Sequence, residues 1–179
     1  MIIDERTGLR ELAFIVCTKL AEADTTVVLS GGGAATIWAP DAIQSFDLDF
    51  VVTLHATEDG AATRALAELG FERRGQEYRH ATCRFHLDFP RGPLAIGGDL
   101  VDTWTTLRAK RRHLNVISAT DSCRDRLAAF YHFGDRSAAA QARAVWAANR
   151  RRVDLAAIEA WSRREGMSKR HAEFVASLA

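Results

Sequence analysis

Cysteine, proline, methionine and tyrosine are all scarce in this chain. Of 179 residues, three are cysteine, three proline, two methionine and two tyrosine. Cys17, Cys83 and Cys123 are odd in number and far apart, and no CxxC pair occurs. That argues against a disulfide framework or a cysteine-based zinc site and leaves the three thiols as small buried hydrophobes. Long apolar runs are missing too. Nothing approaches the ~18 residues of a membrane span, and the first ten residues carry Asp4 and Glu5 rather than a signal-peptide layout. No membrane partner is expected, and the cytoplasm is the default location. The composition, 47% hydrophobic and 26% charged, is that of a globular protein.

The net charge of +1 hides a division. Residues 1–100 hold nine Lys/Arg against fifteen Asp/Glu, net −6; residues 101–179 hold fifteen against eight, net +7. Such a split suits an N-terminal part that holds cations and a C-terminal part that meets a polyanion, or else a set of solvated basic helix faces.

Hydrophobic periodicity predicts a helix over 5–23, where Leu9, Leu12, Ala13, Val16 and Leu20 recur at helical spacing. The β-branched run 25–29 reads as a buried strand. After it come Ser30, Gly31, Gly32 and Gly33, a short helix, and a break at Pro40 and Asp41. Strands are expected at 46–53 and 83–89, a helix at 57–69 stopped by Gly70, and a hairpin of 71–74 with 77–80 around Gly75-Gln76. The stretch 90–98 reads as loop, with two further short strands near 100–107 and 114–118. From residue 121 the pattern turns helical, over 121–133, 137–149, 154–165 and 168–178, with Asp121, Ser137, Asp154 and Ser168 as N-caps. The expected architecture is α/β: a small mixed, twisted sheet with flanking helices over 1–120, and a C-terminal helical bundle over 121–179.

The 46–53 strand carries the chemistry. Side chains alternate along a strand, so Asp47 and Asp49 share one face and Phe46, Leu48 and Phe50 the other. Two carboxylates so placed can reach one hard divalent cation, or two a few ångströms apart. Asp88 sits in a second alternating stretch, with Arg84 and His86 on its face. Asp is disfavoured in strands, and a buried carboxylate needs a partner or a metal. Taken alone, the pair can be two aspartates facing water, and a glycine triplet can be a tight turn. Glycines that open a helix also let a phosphate approach backbone N–H groups at the positive end of the helix dipole. Ser30–Gly33, Asp47, Asp49 and Asp88 together describe a metal–nucleotide site.

The segments GGGAATIW, SFDLDFVV and HLDF resemble the pattern of the nucleotidyltransferase superfamily. The tail, DSCRDRLAAFYHFGDR followed by VDLAAIEAW, looks like that of small bacterial nucleotidyltransferase-like proteins, many of them toxins of AbiEii-like toxin–antitoxin pairs. The resemblance runs from about Thr25 to Gly166. It implies a nucleotidyltransferase fold and a transfer of NMP from an NTP to a hydroxyl, with Mg²⁺ or Mn²⁺ as cofactor. It further implies RNA, more narrowly tRNA, as acceptor and an antitoxin as protein partner. By the same resemblance Gly32 and Gly33 match the glycine turn, with Gly31 standing for one of them if the register shifts by one, Asp47 and Asp49 match the metal pair, and Asp88 the third carboxylate and general base. Ser45 falls where such toxins carry a hydroxyl beside the site. Arg124 stands where a lysine is expected, and arginine can grip phosphate bidentately but is not its equivalent.

Two other readings stay open: a non-catalytic module of the same fold that binds nucleotide or a partner, and an adenylyltransferase acting on a protein or small molecule. The densest basic cluster, with Lys110, Arg111 and Arg112, is the candidate acceptor contact, followed by Arg150–Arg152. His86 is a candidate substrate contact or a structural histidine. Trp38, Trp104, Trp146 and Trp161 lie in apolar contexts and read as core, and Arg126 is left open.

Overall fold

The structure is a computed structural model that describes residues 3–54 and 60–178. It is a mixed α/β protein with seven helices among the described residues. α1 (Leu9–Ala21) leads into β1 (Thr26–Ser30), α2 (Gly31–Trp38), β2 (Asp47–Leu54) and α3 (Ala61–Glu68). The hairpin β3 (Phe71–Arg74) and β4 (Glu77–His80) falls on the expected residues, and β5 (His86–Asp88) is shorter than the alternation suggested. Gly70, at φ 86°, follows the end of α3 as a left-handed stop. The start of the helix expected at 57 lies outside the described residues.

β6 (Ala95–Ile96) and β7 (Asp99–Leu100) form a separate small hairpin. β8 (Thr105–Ala109) and β9 (Arg112–Val116) form another, turning at Lys110-Arg111. Thus the expected strand at 100–107 is split between two hairpins. The main sheet has seven strands in the order β3-β4-β5-β2-β1-β9-β8. β1 runs antiparallel to β2 and parallel to β9, while β2 and β5 are parallel.

Four helices close the chain: α4 (Ala119–Phe133), α5 (Arg136–Ala148), α6 (Leu155–Arg164) and α7 (Ser168–Ala176). Three expected caps move upstream, two of them to residues whose side chains do the capping. Ser118 caps α4, accepting from the Asp121 amide at 3.0 Å while its hydroxyl donates to the Asp121 carboxylate at 2.7 Å. Asp135 caps α5 through the amides of Ser137 and Ala138. In both cases the expected residue lies in the first turn, where its own amide needs a cap from the residue before. Asp154 caps α6 as expected, and Met167 rather than Ser168 stands at the α7 N-cap.

The change from strands to helices at residue 120 is not a break in the core. Leu127, Val145, Ile158, Trp161 and Phe174 belong to one apolar cluster with Leu12, Leu29, Leu48 and Phe50. α1 packs on β1 and β9 and meets α3, while α2 packs on β1 and β2 and meets α4. Trp38 and Trp161 are buried and Trp104 and Trp146 half-buried, while all three cysteines are buried and free. Among the described residues no helix is long and apolar enough to cross a membrane.

Candidate active site

The tertiary register brings the aspartates together. β2 and β5 are parallel neighbours, with Asp47 opposite His86 and Asp49 opposite Asp88. Asp49 pairs with Ser30 on its other side, and Asp88 pairs with Glu77 of β4. The result is a row across four strands, Ser30–Asp49–Asp88–Glu77, at the ~4.8 Å spacing of neighbouring strands. Leu48, Phe50 and Leu87 point into the core as the alternation requires. Phe46, which was expected on the apolar face, is 55% exposed because β2 begins only at Asp47.

The glycines belong to the helix itself. Ser30 is the N-cap of α2, and Gly31–Gly33 form its first turn. Gly31 has φ +64°, and a Cβ there would lie 2.1 Å from Oδ2 of Asp49, so both backbone and space demand glycine. At Gly32 a Cβ would meet the Ser45 hydroxyl at 3.0 Å, and at Gly33 the Asp47 carbonyl at 3.1 Å. The helix start is therefore pressed against β2. No side chain caps it, since the Ser30 hydroxyl donates instead to the Asp49 carbonyl at 3.3 Å. The Ser45 hydroxyl donates to the Asp47 carbonyl at 3.1 Å, which holds the approach to β2.

Gly32, Ser45, Asp47, Asp49, Glu77, His86, Asp88, Arg126 and Gln141 line one cavity of about 280 Å³. Among the described residues, four carboxylates thus face one guanidinium in this cavity. Burial is the main reason that the Asp49 carboxyl is pushed up from 3.8 to about 6. The charge of Asp88 adds to the rise, Arg126 opposes it, and Asp125 and Asp47 contribute less. Glu77 is engaged by Arg79 at 2.8 Å, and Arg126 by Asp125 at 2.6 Å. Nδ1 of His86 and Oε1 of Gln141 are buried on this wall with no hydrogen-bond partner among the described residues.

A hard divalent cation suits this donor set chemically. It would relieve the crowding of Asp49 and Asp88, whose carboxylates are costly to hold side by side and partly desolvated. Among the described residues no group of three His, Cys, Asp or Glu side chains is drawn close enough to clasp a metal unaided. The Asp88 carboxylate turns partly to its own strand and accepts from the Phe89 amide at 2.8 Å. Mg²⁺ usually takes one or two carboxylates and completes its shell with water and substrate phosphates.

Other expected site residues lie elsewhere. Arg124 does not line the cavity: it donates to Asp121 at 2.9 Å and to Asp99 at 2.6 Å and lies over the Trp161 ring. The cause is helical phase, since residues two apart on a helix are about 200° apart around its axis. Arg126, on the other side of α4, is the arginine at the site, and Asp125-Arg126 was the signal that the sequence offered. Arg124→Met should cost about 1–2 kcal/mol, since Asp121 loses its arginine while Asp99 keeps Arg164 at 2.6 Å, read as a lower urea midpoint with nucleotide affinity unchanged. A folded variant with more than tenfold weaker NTP binding would return Arg124 to the site.

Lys110, Arg111 and Arg112 also lie away from the carboxylates. Leu29 pairs with Val116 in the parallel β1–β9 register, so the β8–β9 turn sits at the opposite end of the strands from Ser30. Arg112 lies 3.7 Å from Glu11 of α1. Arg150 and Arg152 stack on Trp146 and Trp38, near the far end of α2 from Gly31.

Glu77 was missed. Its place depends on β4 lying beside β5, which no local pattern reveals.

Compared with known proteins, the chain matches no family model, no curated protein and no solved structure.

Proposed function

We propose that the chain is a metal-dependent nucleotidyltransferase, with the nucleotidyltransferase fold, that moves an NMP from an NTP to a hydroxyl acceptor. The observation that carries this reading is the row Ser30–Asp49–Asp88 packed against an uncapped, glycine-lined helix start. Asp47, Asp49 and Asp88 would hold Mg²⁺ or Mn²⁺, which supplies charge neutralisation at the reacting phosphate and the pyrophosphate leaving group.

The rest of the chemistry belongs to the chain. The first N–H groups of α2 donate to phosphate oxygens, and Gly31 and Gly32 leave no side chain in the way. Ser45 borders the same space, and Arg126 offers positive charge to the triphosphate. Asp88 takes the proton of the acceptor hydroxyl as its oxygen bonds to the α-phosphorus and the bond to pyrophosphate breaks. The net +7 of residues 101–179 supports a polyanionic acceptor, RNA, and by resemblance tRNA. The biological role in this reading is that of a toxin held in check by a protein antitoxin.

Titration with Mg²⁺ or Mn²⁺ in the presence of each NTP tests the site. Wild type should show NTP-dependent metal binding, and Asp47→Ala and Asp49→Ala should each lose it. Unchanged metal binding in both variants would remove the site, and nucleotide binding without any transfer would leave a binding module.

A further inference from the structure

A second cavity, of about 230 Å³, lies on the other face of the sheet. Val52 of β2 lines it, and adjacent residues of a strand face opposite ways, so it backs onto the side that carries Asp49 and Val51. Leu20 of α1, Leu66 of α3, Tyr78 of β4 and Phe89 form its apolar walls. Exposed Arg73, Gln76 and Arg91 stand at its edge.

The charge of this cavity runs against its surroundings. Residues 1–100 carry net −6, yet among the described residues no Asp or Glu lines the cavity and two arginines do. Arg73 uses Nε on the Gly75 carbonyl at 3.1 Å, which leaves its terminal amino groups. Arg91 makes no hydrogen bond or ion pair among the described residues. Guanidinium groups at an apolar pocket match a carboxylate in bidentate geometry.

We infer that this cavity binds a small amphipathic anion, an aromatic or branched aliphatic carboxylate, whose apolar body enters between Leu20, Leu66 and Phe89 and whose carboxylate is held by Arg73 and Arg91. At the roughly 30 Å³ that one water occupies in the liquid, the volume suits a body of about eight heavy atoms. The site is independent of the proposed transfer reaction, since the two cavities open on different faces of the sheet.

The test is an NMR titration of the full chain with 3-phenylpropionate and with its neutral amide. Saturable shifts at Val52, Leu66 and Phe89 are expected for the acid, with the amide at least about tenfold weaker, the scale of one lost charged hydrogen bond. Arg91→Gln and Arg73→Gln should each weaken the acid several-fold and leave the amide unchanged. Ala62→Phe, which fills the cavity from the α3 side, should abolish both. Equal affinity for acid and amide overturns the inference, as does no saturation up to about 10 mM. Binding that survives Ala62→Phe, or shifts centred on His86 and Asp49, would overturn the location.

Discussion

Asp88→Asn should fold, retain NTP, and lose transfer by about 10²-fold or more, the usual scale for a lost general base. Asn keeps the shape of the side chain, so the contact with the Phe89 amide and the pairing with Asp49 and Glu77 survive. It cannot accept the hydroxyl proton, and it ligates metal weakly. Single-turnover assays with labelled NTP and total RNA would measure the loss in the bond-forming step, separate from product release. A variant that transfers at the wild-type rate would remove Asp88 from the chemistry. A wild type that transfers to no RNA, protein or small hydroxyl acceptor would replace the enzyme reading with that of a binding module.

Asp49→Asn should abolish transfer and make the metal-free protein more stable. The carboxyl of Asp49 is pushed up to about 6 by burial and by Asp88. An acid with a raised pKa binds its proton more tightly folded than unfolded. The folded state therefore bears no penalty from Asp49 below about pH 4, loses stability as pH rises toward 6, and bears the full penalty above it. Asn has no charge to desolvate. With chelator present, its gain should be about 1–2 kcal/mol at pH 7.5, after a discount for partial exposure, and close to zero near pH 4. Urea midpoints at the two pH values would measure this. A wild type as stable as the variant at pH 7.5 would mean that Asp49 is not held against its own charge. The combination of lost function and gained stability is expected where a site is kept under electrostatic strain for a ligand.

The local readings that survived are those in which side-chain spacing meets a buried surface. Leu48 and Phe50 are buried, with Asp47 and Asp49 between and beside them, because strand side chains alternate and only one face meets the core. The hairpin at Gly75-Gln76 and the four final helices were likewise legible, since turn chemistry and helical periodicity are local properties. Helix ends were less so. Ser118 and Asp135 took the caps because each could reach an amide two or three residues on, while the first-turn candidates Asp121 and Ser137 could not cap their own amides.

The sequence by itself determined which residues could carry charge toward a ligand and which must be buried. It placed three aspartates in strands and glycines at a helix start, because these are matters of propensity, periodicity and backbone freedom. Only the tertiary structure decided which of them meet. Strand order is set by packing among distant segments, so nothing local could say that β5 would lie parallel to β2 and bring Asp88 beside Asp49, or that β4 would extend the row to Glu77. The rotation of α4 against the sheet chose Arg126 over Arg124 for the cavity, because two residues along a helix turn a side chain to nearly the opposite side. The parallel register of β1 with β9 sent Lys110, Arg111 and Arg112 to the far end of the strands, since direction along a sheet is a property of the assembled strands and not of any one of them.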